Sequence, residues 1–149
     1  RQIIREVHPQ AATSNPLTAC KAAFEKLKLR NIALVTPYSP DVTLEMQANL
    51  RTSGFNTVAV ASFNQIDDFT VARITSESIL KAVTNIGARN EVDGVFVSCT
   101  SLRTLSIVTQ AEVRLGKPVI TSNQALGWHL ARLCGLSDAK HGFGRIFAS

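Results

Sequence analysis

The chain has 149 residues, 45% apolar and 18% charged, which is enough for one domain with a proper core. Its net charge of +5 comes from scattered basic residues, apart from the run Lys26-Leu27-Lys28-Leu29-Arg30. That run sits at a predicted helix end, where cations favour the dipole, and one Tyr and one Trp give no stacking platform, so no nucleic-acid partner is expected. No apolar run approaches the ~20 residues that span a bilayer, so no membrane partner is expected either.

The first residues, Arg1-Gln2-Ile3-Ile4-Arg5-Glu6, carry no secretory pattern and read as the middle of a helix. With no initiator Met, they predict a chain that is part of a longer protein. Asn15-Pro16 then reads as a helix start, Asn as N-cap and Pro in the first turn. Leu17, Cys20, Phe24 and Leu27 form its apolar stripe. A strand follows over 31–36, and Pro37 to Pro40 breaks it. Asp41 opens a helix with Val42, Met46 and Leu50 on one face, and Gly54 stops it. Residues 57–61 read as a second strand, and 62–70 as a polar turn. Thr75 or Ser76 caps a helix carrying Ile79, Val83 and Ile86, which Gly87 ends. Residues 92–97 are a third strand, and Leu102 to Leu115 reads as the next helix, with Leu105, Val108 and Leu115 inward. Gly116-Lys117-Pro118 turns into a short strand at Val119-Ile120, and a last helix runs from about Asn123 to Leu133. The tail after Gly135 has no clear period.

The strands are unbroken apolar runs alternating with helices, the pattern of a parallel sheet covered on both faces. The expected fold is therefore α/β, a four-stranded parallel sheet flanked by helices. In such sheets ligands bind at the C-terminal strand ends. Those ends read Thr36-Pro37-Tyr38-Ser39, Ser62-Phe63-Asn64, Ser98-Cys99-Thr100-Ser101 and Thr121-Ser122-Asn123-Gln124. They are rich in hydroxyls and amides but hold no glycine-rich nucleotide motif, so no cofactor is expected. The groups suit a small, oxygen-rich anion such as a carboxylate.

Cys99 is the candidate reactive group. At the end of one strand and the start of the predicted 102–115 helix, its thiolate would see the positive end of the dipole. The competing reading is a cysteine packed as a small hydrophobe. That packing role is expected for Cys20, on its helix stripe, and for Cys134, beside Leu130 and Leu133. Three cysteines match no zinc spacing and no disulfide framework, which points to a reduced, cytoplasmic protein. His8 reads as a solvated loop residue and His129 as structural, while His141 shows no partner. Tyr38, the single tyrosine, follows a strand and is read as a ligand contact, with packing as the alternative. Asp67-Asp68 reads as a loop or helix start, with substrate contact second.

Four segments carry a resemblance: Leu34-Val35-Thr36-Pro37-Tyr38, Val71-Ala72-Arg73-Ile74, Val97-Ser98-Cys99-Thr100-Ser101-Leu102-Arg103-Thr104, and the stretch from Leu115-Gly116-Lys117-Pro118 to Gln124-Ala125. Together they resemble the aspartate/glutamate racemase superfamily, in its branch of maleate cis–trans isomerases, arylmalonate decarboxylases and ectoine-utilisation proteins. The resemblance implies two flavodoxin-like halves with the active site between them. It implies cofactor-independent isomerase or racemase chemistry on a small carboxylate, with an arylmalonate-type decarboxylase or a non-catalytic carboxylate-binding module as alternatives. Cys99 would match the catalytic cysteine of the second half and Tyr38 the carboxylate-binding tyrosine. Thr36, Pro37, Thr100 and Ser101 would lie in the carboxylate-cradling loops. Residues 1–29 would then be the tail of a first half with its own cysteine plus a linker helix, 30–122 the second α/β domain, and 123–149 a helix and tail returning toward the first half. A homo-oligomer is expected. Asp68 departs from the family pattern, standing where maleate isomerases carry a substrate-binding asparagine. A carboxylate there would repel a dicarboxylate, which weakens maleate as substrate and favours an ectoine-pathway-like or other member.

Overall fold

Four parallel strands in the order β2-β1-β3-β4 organise the chain: β1 Asn31–Thr36, β2 Asn56–Ser62, β3 Gly94–Val97 and β4 Val119–Thr121. The structure is a computed structural model and describes residues 2–136 and 142–148. Seven α-helices lie among the described residues: α1 Gln2–Val7, α2 Pro16–Lys26, α3 Pro40–Arg51, α4 Asp68–Arg73, α5 Ser76–Gly87, α6 Val108–Leu115 and α7 Ser122–Leu133. None is long and apolar enough to cross a membrane. The crossovers make the α/β parallel sheet that the alternating pattern predicts, in the flavodoxin-like order that the resemblance implies.

Side-chain alternation along β1 sorts the core into two layers. Ala33 and Val35 face one cluster, with Val95, Val97, Ile79, Val83 and Ala111. Ile32 and Leu34 face the other, with Phe24, Phe55, Phe96, Leu50 and Ile120. Phe24 anchors this second layer: its ring meets Phe55 at 5.2 Å and Phe96 at 5.3 Å, both edge-on. Helix α2 forms because Asn15 accepts from the Thr18 amide while Pro16 needs no donor. It packs with α7 over the Phe96 side of the sheet.

Four local expectations fail. Residues 102–115 are not one helix: a turn and a 3₁₀ segment, Leu105–Ile107, precede α6, and Leu105 is half exposed. Thr104, which precedes that 3₁₀ segment, makes no side-chain cap bond. The polar stretch after β2 is partly helical, because Asp67 caps α4 by accepting from Thr70. Only Val71 of α4 is buried, so there was no apolar period to read. On α3 the inward face carries Thr43 and Leu50, while Val42 is exposed. Cys134 is also exposed, since Leu130 and Leu133 beside it are themselves 43% and 40% exposed and make no core stripe. His141 lies outside the described residues.

The C-terminal segment 142–148 is tied down by buried polar groups. The Glu112 carboxylate accepts from the Val119 amide at 3.0 Å and the Arg145 amide at 2.9 Å, joining β4 to the tail. Burial holds its carboxyl above the usual range, with those two amides opposing the shift. Gln124 closes a capping box with Thr121 and donates to the Phe143 carbonyl. Between them sits Gly144, at φ +84°, where a Cβ would lie 2.5 Å from Gln124 Nε2 and 2.6 Å from Val108 Cγ1. Gly144→Ala therefore combines strain and overlap. It is expected to cost about 2–3 kcal/mol in urea denaturation. Gly54→Ala, at φ +83° with nothing within 4 Å of the added methyl, should cost about 1 kcal/mol. Equal costs would show that the docking of the tail contributes nothing.

Candidate active site

The parallel register brings the ends of β1 and β3 side by side. Val35 pairs with Val97, and the Ser98 amide then donates to the Val35 carbonyl at 2.9 Å, carrying the ladder one residue further. Past that bond both strands turn away, and their next residues face the same space. On the β1 side, Thr36 is fully buried and braces the turn: its hydroxyl accepts from the Tyr38 amide at 3.1 Å and pairs with Thr43. The Pro37 carbonyl accepts from the Gln65 amide and the Tyr38 carbonyl from the Ser62 hydroxyl, so the β2 loop buttresses the same turn. Tyr38 is left half-buried.

Cys99 leaves β3 at φ +113°, a backbone conformation that side-chain-bearing residues rarely adopt. Its amide donates to Ser122 Oγ, at the first turn of α7, at 3.2 Å. The residue is 8% exposed and sits at the margin of the core layer against which Tyr38 also packs. Because α6 starts only at Val108, its N-terminus does not face the sulfur, and the helix-dipole argument for Cys99 fails. The phenol of Tyr38 instead neighbours both Ser98 and Cys99.

Tyr38, Ser98, Thr100 and Ser122 line a cavity of about 180 Å³ whose apolar walls come from Pro16, Leu17, Met46 and Phe96. No lining residue carries a formal charge. Thr100 is exposed at its mouth, and its carbonyl accepts from Asn123 Nδ2 at 2.8 Å. Ser101 Oγ lies 3.5 Å from Asp68 Oδ1, which places an exposed carboxylate beside the loop. Larger grooves of about 520 and 610 Å³ lie between α3 and β2 and between α5 and α6, away from the strand ends. The small cavity is the one where hydroxyls converge beside a thiol. Of the residues singled out from the sequence, Tyr38 and Thr100 line this cavity, Cys99 and Asp68 neighbour Tyr38, and Ser101 faces Asp68, whereas Thr36 and Pro37 brace the β1 turn. Ser98 and Ser122 were not singled out, although both stand in the hydroxyl-rich strand ends.

Comparison with known proteins decides the family. The profile of the arylmalonate decarboxylase family matches residues 6–147. The chain belongs to the arylmalonate decarboxylase family. It is 31% identical over 142 residues to the arylmalonate decarboxylase of Bordetella bronchiseptica, covering 91% of this chain and 59% of that protein. It is 28% identical over 138 residues to the maleate isomerase of Nocardia farcinica, covering 92% of this chain and 55% of that protein. The chain thus spans little more than half the length of these relatives. Among solved structures, the Nocardia farcinica maleate cis–trans isomerase bound to Tris superposes with a TM-score of 0.92 at 25% identity, over 99% of this chain and 60% of that one. A glycine-to-cysteine variant of arylmalonate decarboxylase in a sulfate-associated form superposes with a TM-score of 0.87 at 28% identity, over 98% of this chain and 63% of that one. The racemase-like superfamily inferred from the motifs therefore stands. The relatives named here do not show its ectoine-utilisation branch.

Burial pushes the Tyr38 phenol up to about 12; the Ser98 hydroxyl pulls it down, and Cys99 and Asp68 push it further up. The phenol is a neutral donor throughout the physiological range. Its favourable contribution is fully present below pH 10 and is lost as pH rises through about 12. Since this is the chain's single tyrosine, ultraviolet titration of phenolate reads it directly. A midpoint near 12 is expected, and one near the ordinary 10 would show that Tyr38 is solvated and does not face the thiol.

Proposed function

We propose that this chain supplies one side of the active site of a cofactor-independent enzyme that isomerises or racemises a small carboxylate through Cys99. The observation that carries this reading is that Tyr38, whose neutral phenol neighbours Cys99, lines with Ser98, Thr100 and Ser122 one small cavity at the sheet's C-terminal edge. Donors without a cation suit a carboxylate or an enediolate, whose charge they stabilise as it develops. Cys99 then acts on the carbon beside the carboxylate. As a thiolate it takes the proton from one face, and a thiol on the opposite face returns a proton, leaving the charge balance unchanged. Alternatively the thiolate adds to a double bond, the resulting single bond rotates, and elimination restores the thiolate.

A companion half carrying the second cysteine supplies the opposite face in this reading. It is supported by the chain's coverage of 59% and 55% of two relatives. The buried Cys20 is unsuited to that part, since burial pushes its thiol up to about 12. Asp68, beside Ser101, disfavours a second carboxylate at that end of the cavity and so argues against maleate. Cytoplasmic location and homo-oligomerisation remain part of the same proposal.

The family profile and the 31% identity to a decarboxylase favour a second reading. There, loss of carbon dioxide from a malonate leaves an enediolate, and the Cys99 thiol gives its proton to the carbon. The thiolate regains a proton from water. The two readings separate on one assay set: protein containing this chain together with any companion half, incubated with arylmalonates and with mono- and dicarboxylates. Release of carbon dioxide and exchange at the α-carbon are followed by NMR. Cys99→Ser is expected to lower turnover at least ~10²-fold in either case, the scale of positioned proton transfer. Turnover near that of the unmodified protein would remove Cys99 from the chemistry.

A further inference from the structure

Residue 99 adopts a backbone conformation that glycine takes freely and cysteine does not. Such strain persists only where the surroundings over-determine it. The first turn of α7 does so here with two side chains. Ser122 Oγ accepts the Cys99 amide at 3.2 Å, and Asn123 Nδ2 donates to the Thr100 carbonyl at 2.8 Å, so consecutive residues are held from both sides. The turn that carries them is itself fixed by the capping box of Thr121 and Gln124. Ser122 is 4% exposed, and the buried sulfur of Cys20 on α2 is a further neighbour of its hydroxyl from below. Above, it opens on the same cavity as Tyr38. A hydroxyl has one proton and two acceptor sites, and a thiol both donates and accepts weakly. The Cys20 sulfur can thus hold the hydroxyl whichever way its proton turns.

We infer that Ser122 is the positioning residue of Cys99: braced by Cys20 beneath it, its hydroxyl holds residue 99 in its left-handed conformation and so keeps the thiol against Tyr38. Cys20 acts through Ser122 and does not itself meet substrate. The inference deepens the proposed function, because it takes Cys99 to be the reactive thiol.

Labelling chemistry tests it without relying on turnover. In a Cys134→Ser background, which removes the exposed thiol, iodoacetamide modification of Cys99 is followed by peptide mass spectrometry from neutral to alkaline pH. Freeing the strained segment should let the buried thiol swing out. Ser122→Ala is therefore expected to speed modification about tenfold, the scale of one lost hydrogen bond to a buried amide. Ser122→Thr keeps the hydroxyl and should stay within about threefold of the parent. An unchanged or slower rate in Ser122→Ala overturns the inference, as does an equal acceleration in Ser122→Thr. Should Ser122→Ala fail to fold, Cys99→Gly is added to it. Glycine needs no clamp at φ +113°, so the pair should recover the fold, and failure to recover counts against the clamp. Inactivity of the whole protein, or turnover indifferent to Cys99→Ser, would remove the functional reading and leave the labelling result standing.

Discussion

The hydrogen bond from the Ser98 amide to the Val35 carbonyl is the constraint on which the site depends. It is the last rung between β1 and β3, and it sets the level at which the two chains part. One residue beyond it on β3 is Cys99. Three residues beyond its partner on β1 is Tyr38. A parallel pair slipped by one residue would send every following side chain to the opposite face. The Val35–Val97 pairing is locked by burial on both faces of the sheet, with both valines fully buried. The thiol and the phenol therefore meet because two core strands cannot slide, and not because either side chain holds the other.

Around that fixed point the loops divide the work unevenly. The β1 turn is stiff: Thr36, Gln65 and Ser62 each tie down a different backbone group of residues 36–38. The β3 turn holds a strained residue and needs an external clamp, which the first turn of α7 supplies. The same turn of α7 also reaches the tail through Gln124. Packing of segment 142–148 and the backbone angle at Cys99 are thus connected through a single helical turn.

This arrangement explains what the sequence made legible. The sheet, its strand ends and the reactive candidates were readable because period-2 burial, proline and glycine punctuation and an N-cap leave marks on neighbouring residues. Cys99 and Tyr38 were found because each sits one to three positions beyond an apolar run. Ser122 was not, because its importance lies in contacts with Cys99 and Cys20, 23 and 102 positions away in the chain. The helix read over 102–115 failed for a related reason. Leu102, Leu105 and Val108 have helical spacing, but Leu102 is buried by a turn and Leu105 points to solvent. Spacing reports a shared face only where the backbone between is regular, and residues 99–104 are taken up in leaving the strand.

The two buried cysteines show why burial alone does not rank a thiol. Cys20 is sealed among Ala19, Ala23 and Phe24, and burial holds its proton firmly. Cys99 is almost as buried, in an apolar layer, yet the Tyr38 phenol packs against that layer beside it and its own amide is held by Ser122. At Cys20 a polar neighbour is Ser122, already engaged by the Cys99 amide. Burial therefore accounts for the behaviour of the Cys20 thiol, whereas at Cys99 the backbone conformation and the Tyr38 phenol distinguish the site. The hydroxyl between them links a packing choice on α2 to the backbone conformation at the end of β3.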